Sequence, residues 1–176
     1  MLEIVSQSDL PFQLSELRDH CRVTDASYNP ALTRSLNAAA VLIERWTGVY
    51  LRATTIDGYF MGVPEPYRFD YGPVTSLTSV TKVSDSSTIA ATAYELDKTK
   101  AWPCLRSLET SAWTWNETYK VRWVAGYTSV PEPLKIATFE LAALHFENRE
   151  AATPVKLHAL PMALESIISA YGPRGM

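Results

Sequence analysis

Apolar and polar positions follow three textures along the chain: a helical period over residues 13–47, short strand-like runs over 50–127, and a helical period again over 131–171. Over 13–22, Leu14, Leu17 and Cys21 fall at i, i+3 and i+7, with Glu16, Arg18 and Asp19 on the other side, which predicts a short helix with one apolar stripe. A polar turn at 24–29 follows. Asn29 can cap free amides and Pro30 suits the first helical position, so a long helix is predicted over 30–47. Leu32, Leu36, Ala39, Leu42, Ile43 and Trp46 share its inner arc, Arg34, Asn37, Glu44 and Arg45 occupy the other side, and Gly48 supplies a left-handed end.

The middle of the chain consists of β-branched and aromatic runs broken by Gly, Pro, Asp and Ser, which predicts strands near 51–60, 77–83, 88–95 and 119–125. Residues 85–87 fit a hairpin loop, Gly72 and Pro73 end a connection, and 61–70, with Pro64 and Pro66, reads as an irregular excursion. Tyr119, Val121 and Trp123 alternate with Lys120 and Arg122, the signature of a half-buried antiparallel strand. Trp102, Trp113 and Trp115 crowd a stretch of weak periodicity, where such aromatics either cap a core edge or form an interface.

The helix predicted over 133–148 is apolar on two sides. Leu134, Ala137, Leu141, Leu144 and His145 cluster on one arc, while Ile136, Phe139, Ala143 and Phe146 fall on a roughly opposite one. Such a helix needs two partners, so the second arc points to another layer of the fold or to another subunit. Pro154 breaks the chain, and Pro161 starts a last helix with the stripe Leu160, Leu164, Ile167, Ile168 and Tyr171, stopped by Gly172 and Pro173. The expected fold class is α+β: a small helical bundle of about four helices, from residues 9–48 and 131–171. An antiparallel β insertion over 50–127 separates the second and third main helices, and a flexible tail covers 172–176.

At 176 residues the chain suits one domain with a real core. A net charge of -3 and a pI near 5.6, with no run of Lys or Arg, argue against a protein that grips nucleic-acid phosphates. With no long apolar segment and no charged-then-apolar leader, the expectation is a soluble protein that is neither membrane-spanning nor secreted. Cys21 and Cys104 lie far apart without CxxC spacing and read as buried free thiols.

Candidate chemistry is thin. His20, His145 and His158 lie in different elements, and His145 with Glu147 is an i, i+2 pair that points apart on a helix; His145 is expected to bond a neighbouring acceptor instead. There is no GxSxG, GxGxxG or phosphate-cradling glycine loop. Asp57-Gly58 and Asp70 with Gly72 hint at a cation loop but lack its alternating carboxylates. No catalytic, metal or cofactor residue is assigned. A small soluble hydrolase or metal-binding enzyme without a recognisable motif stays open as the alternative class, and the negative charge weighs against a free-standing DNA-binding regulator.

Several motifs occur together in order: LRDHCRV at 17–23, Trp46-Thr47-Gly48 closing the long helix, GPVTSLTSV at 72–80, WVAGYTSVPEPLKIA at 123–137 and HFENREA at 145–151. In this order and spacing the chain resembles the head-tail connector (adaptor) proteins of long-tailed bacteriophages, also found in prophages and gene transfer agents. The resemblance spans nearly the whole length. Cys21 stands where a leucine is usual, Gln13 replaces a common Ser cap, and the Trp-rich segment 102–115 does not align.

The resemblance implies a structural virion protein of the neck, assembled in the host cytoplasm. It would form a homo-oligomeric ring, expected to be dodecameric, docked under the portal protein and offering a platform to the tail or to the next head-completion (stopper) protein. Double-stranded DNA would pass through the channel without sequence-specific binding, and neither membrane nor cofactor is involved. Portal binding is carried over to the C-terminal segment, at Tyr171, Pro173, Arg174 and Met176. For the ring, one arc of helix 133–148 is expected to pack on helix 30–47, while Ile136, Phe139, Ala143 and Phe146 bury against a neighbour or the β insertion. Phe139→Glu would then block the ring and spare helicity. Arg149 reads either as an inter-subunit ion pair or as a solvated helix end.

Overall fold

A computed structural model of the chain describes residues 2–64, 66–69, 71–99, 103–147 and 162–171. The fold is mixed α+β and divides into two compact units, Met1–Asp9 with Arg52–Thr128, and Leu10–Leu51 with Ser129–Met176. The first unit holds the strands and the second the four helices found among the described residues.

In the helical unit, α1 (Leu14–His20) starts where Glu16 reaches back to accept from the Gln13 backbone N–H at 3.2 Å. This is the capping-box bond that removes an orphan amide. Arg18 closes the far end, its guanidinium donating to the carbonyls of Val23 and Thr24. The next helix, α2 (Asn29–Thr47), differs from expectation at its entry. Asn29 lies inside the helix, whose N-cap, Tyr28, makes no side-chain cap bond; Asp25 instead caps the short 3-10 turn over Ala26–Tyr28 that leads in, accepting from Ser27 N–H. Gly48, at φ 67°, ends α2 as expected. The Glu44 carboxylate is buried and accepts from Leu51 N–H at 3.1 Å, fixing the chain's exit.

α3 (Glu132–Glu147) packs along α2, burying Leu134, Ala137 and Leu141 together with Leu32, Leu36 and Ile43. α4 (Met162–Tyr171) contacts both and buries Leu164. The predicted start at Pro161, the break at Pro154, Leu160 and the tail 172–176 lie outside the described residues.

The β unit has a four-stranded antiparallel sheet of β1 (Leu2–Gln7), β2 (Thr54–Met61), β4 (Val74–Lys82) and β7 (Thr118–Ala125), in the order β1-β2-β7-β4. A second sheet, β3-β6-β5, is built from β3 (Tyr67–Arg68), β5 (Tyr94–Asp97) and β6 (Cys104–Ser107). Along β7, Tyr119, Val121, Trp123 and Ala125 are buried and Lys120, Arg122 and Val124 are not, as the alternation predicts. Trp123 packs on Phe69 at 4.9 Å, and Tyr119 on Phe60 and Trp113. The ring of Trp123 lies so close to Gly58 that a Cβ there would meet it at 2.7 Å.

Two expectations need correction. The strand predicted over 88–95 is only a bridge between Thr88 and Thr81; the regular pairing starts at Tyr94, after a short 3-10 turn, where β6 offers a partner. The sheet also begins earlier than expected, because β1 precedes the first helix and pairs with β2 as an exposed edge.

Candidate functional site

The described carboxylates with the deepest burial carry structure. Asp57 sits mid-strand in β2, 4% exposed, and accepts both Arg122 Nε and a second Arg122 nitrogen at 2.6 Å, with Lys120 Nζ at 3.9 Å. At Asp57-Gly58, where the sequence lacks the alternating carboxylates of a cation loop, the carboxylate is filled by a bidentate cross-strand pair on the sheet face opposite the core. Asp70 lies outside the described residues. Among the described residues no group of three or more His, Cys, Asp or Glu is placed to hold a metal ion, and no helix is long and apolar enough to cross a membrane. Cys104 is buried in the β unit and Cys21 half-buried in the helical one, both free. An open concavity in the β unit is lined by Pro64, Pro66, Asp97, Thr99, Arg106 and Ser107, among others.

The hydrogen bonds from Arg122 hold the Asp57 carboxyl below its usual value near 3.8, outweighing the upward push of burial. Because the folded value lies below the unfolded one, the pair stabilises the β unit fully above about pH 4 and loses that contribution as pH falls through the folded value. Asp57→Asn is expected to cost about 1.5–3 kcal/mol at neutral pH, toward the lower figure because Arg122 is one-third exposed and can reach water. Denaturant titrations down to about pH 2 should show wild type and variant converging. A gap that stays constant would contradict the role given to the pair.

The residues expected at a subunit interface do not share one face. Phe139 is 6% exposed and points into the helical unit, its ring 5.6 Å from Phe12 and 6.0 Å from His20, with Lys135 Nζ 5.8 Å from its centroid. Phe146 meets Tyr28 edge-on at 5.9 Å and is half-buried. Ile136, by contrast, is 47% exposed, and Ala143 is intermediate on the same side. The second apolar arc of α3 is thus split, its aromatic edge packing toward α1 and the residues flanking it. Lys135 reinforces that contact with a 2.6 Å ion pair to Glu16, the same carboxylate that caps α1. Arg149 lies outside the described residues. On the first arc Leu134, Ala137 and Leu141 are buried as expected, but Leu144 and His145 are exposed, so His145 is not the border core residue expected.

Of the residues expected to bind a portal, Tyr171 is the half-buried last residue of α4; Pro173, Arg174 and Met176 lie outside the described residues. In the Trp-rich segment, Trp113 caps the β core while Trp115 is exposed against Gly62, close to the exposed Met61 at the end of β2. Trp102 is not among the described residues.

The recognisable motifs turn out to be architectural. In LRDHCRV, Leu17 is buried, Arg18 clamps the turn, and Arg22 takes a left-handed φ of 54°. In WVAGYTSVPEPLKIA, Gly126 has φ 121° and donates to the Pro73 carbonyl, and Pro131 accepts the first amides of α3 from Leu134 and Lys135.

No family model and no curated protein matches the sequence. Solved structures do. A chain in the virion of a native gene transfer agent particle superposes with a TM-score of 0.80 at 21% identity, over 100% of this chain and 97% of that one. A chain in the neck of an empty gene transfer agent particle, computed with C6 symmetry, gives 0.79 at 21% identity, again over 100% and 97%. One in the neck of a native particle, computed with C12 symmetry, gives 0.76 at 22% identity and the same coverage. The shared property is the fold, from end to end.

Proposed function

We propose that the chain is a structural subunit of a phage-like virion neck, a head-tail adaptor that assembles as a dodecameric ring beneath the portal. The observation that carries this reading is the full-length match in fold to chains of gene transfer agent virions and necks. The ordered motifs of the sequence support it independently. In this reading the ring joins the DNA-filled head to a tail or stopper protein, and Tyr171 with Pro173, Arg174 and Met176 forms the portal-binding end.

Double-stranded DNA passes through the central channel. A net charge of -3 suits a wall that lets phosphates slide without trapping them, since tight non-specific grip requires clustered cations. The two most buried described carboxylates, Asp57 and Glu44, offer little to the alternative of a small hydrolase or metal-binding enzyme, because both are committed to structural hydrogen bonds.

Electron microscopy of the purified chain, alone and mixed with its portal protein, tests the reading. Rings or ring-capped portals are expected. A chain that stays monomeric with the portal present and instead binds zinc, or shifts a short DNA duplex at moderate salt, would overturn it.

A further inference from the structure

The two long helices of the helical unit carry stripes of opposite charge, exposed along α2 and exposed to half-buried along α3. On α2, Arg34, Ala38, Val41 and Arg45 follow one another at i, i+4, i+7 and i+11, one continuous face, and all are exposed, Val41 at 53%. Glu44, the one carboxylate of α2, is buried and turned to Leu51, so this outer face carries positive charge alone.

On α3, Glu132, Ile136, Glu140, Ala143 and Glu147 form the matching stripe at i, i+4, i+8, i+11 and i+15. Lys135, the lysine of α3, pairs with Glu16 and also lies within electrostatic reach of Glu132, so the negative charge of this face rests mainly on Glu140 and Glu147. Each stripe places an exposed apolar side chain between charges: Val41 between Arg34 and Arg45, Ile136 between Glu132 and Glu140. Among the described residues Arg34, Arg45, Glu140 and Glu147 make no ion pair.

Within one chain these stripes cannot meet. α2 and α3 face each other through Leu32, Leu36, Ile43, Leu134 and Leu141, which turns both stripes outward. No complement for Arg34, Arg45, Glu140 or Glu147 lies among the described residues of the same chain, and a second copy of this chain supplies both halves. We propose that the basic stripe of α2 in one copy docks on the acidic stripe of α3 in the next, with Val41 and Ile136 at the centre. Two different faces meeting in this way make a heterologous contact, which repeats from copy to copy and gives a ring when the rotation between copies closes. This assignment rests on the ring reading above and names the surface that builds it.

The test is a charge swap in the full chain. Arg34→Glu/Arg45→Glu makes both stripes acidic, and Glu140→Arg/Glu147→Arg makes both basic. Arg34, Arg45 and Glu147 are exposed and Glu140 is half-buried, and circular dichroism and thermal melts verify that each variant folds as wild type does. Each variant alone should need at least about tenfold more protein to form rings, with or without the portal protein, because like charges now oppose at every contact. An equimolar mixture should assemble within about twofold of wild type, as rings in which the variants alternate. Alternation requires an even number of copies, which the twelve-fold symmetry of one similar neck satisfies.

Rings formed equally well by either variant alone, or a mixture that fails to recover, would overturn this surface and leave the ring reading standing. A wild-type chain that forms no ring even on the portal would overturn both.

Discussion

Gly126→Ala should unfold the β unit. At φ 121° the backbone of Gly126 adopts a conformation that L side chains rarely take, and an added Cβ would lie 2.0 Å from the Arg52 carbonyl oxygen and 2.6 Å from its carbon. Both obstacles are backbone, at the point where the chain enters β2, so no rotamer change relieves them. The Gly126 N–H is also held by the Pro73 carbonyl at 2.9 Å, which ties the residue to the approach to β4. The expected cost exceeds about 4 kcal/mol, in the range reserved for backbone strain combined with lost core packing.

Cys104 offers the measurement, since it is buried in this unit while Cys21 belongs to the helical one. Labelling of Cys104 by a thiol reagent should accelerate by about a thousandfold or more under opening equilibrium. A Gly126→Ala chain with wild-type protection of Cys104 would refute the close approach to Arg52.

Phe139→Glu should collapse the helical unit rather than act selectively on assembly. The ring is buried against Phe12 and His20, so truncation alone removes about 3–5 kcal/mol of packing, and a carboxylate in its place adds an unpaired buried charge. Lys135 lies near but is already committed to Glu16 at 2.6 Å, so it cannot rescue the new carboxylate without surrendering the α1 contact. Ile136→Glu is the contrasting change: at 47% exposure it should stay within about 0.5 kcal/mol of wild type in stability. Denaturant unfolding followed by helical circular dichroism separates the two. Equal stability of both variants would show that the aromatic edge of α3 is not part of the core.

Those two residues illustrate why the outer face of α3 was only half legible. Residues 136, 139, 143 and 146 share an arc by periodicity, and periodicity says that a face is apolar, not what covers it. Phe12 and His20 cover part of it, and they sit more than a hundred positions away, on a segment whose path depends on the turn that Arg18 clamps. The strands show the same limit. β7 was legible because its two faces see different environments, whereas β1, exposed along nearly its whole length, has no alternation to read and is held by backbone pairing with β2. Residues 88–95 have the composition of a strand, but a strand needs a partner, and β6 meets the chain only from Tyr94 onward.

The amino-acid sequence by itself determined the α+β class, the span of α2 between Pro30 and Gly48, the buried face of β7 and the positions of α3 and α4. These depend on neighbours within a few residues: helical period, strand alternation, a proline at a helix start, a glycine at its end. Only the tertiary structure decided which side of α3 stays open, that Asp57 is matched to Arg122, and that the charged stripes of α2 and α3 turn outward together. Those outcomes depend on which distant segments pack against each apolar or charged surface. Local periodicity carries no record of that.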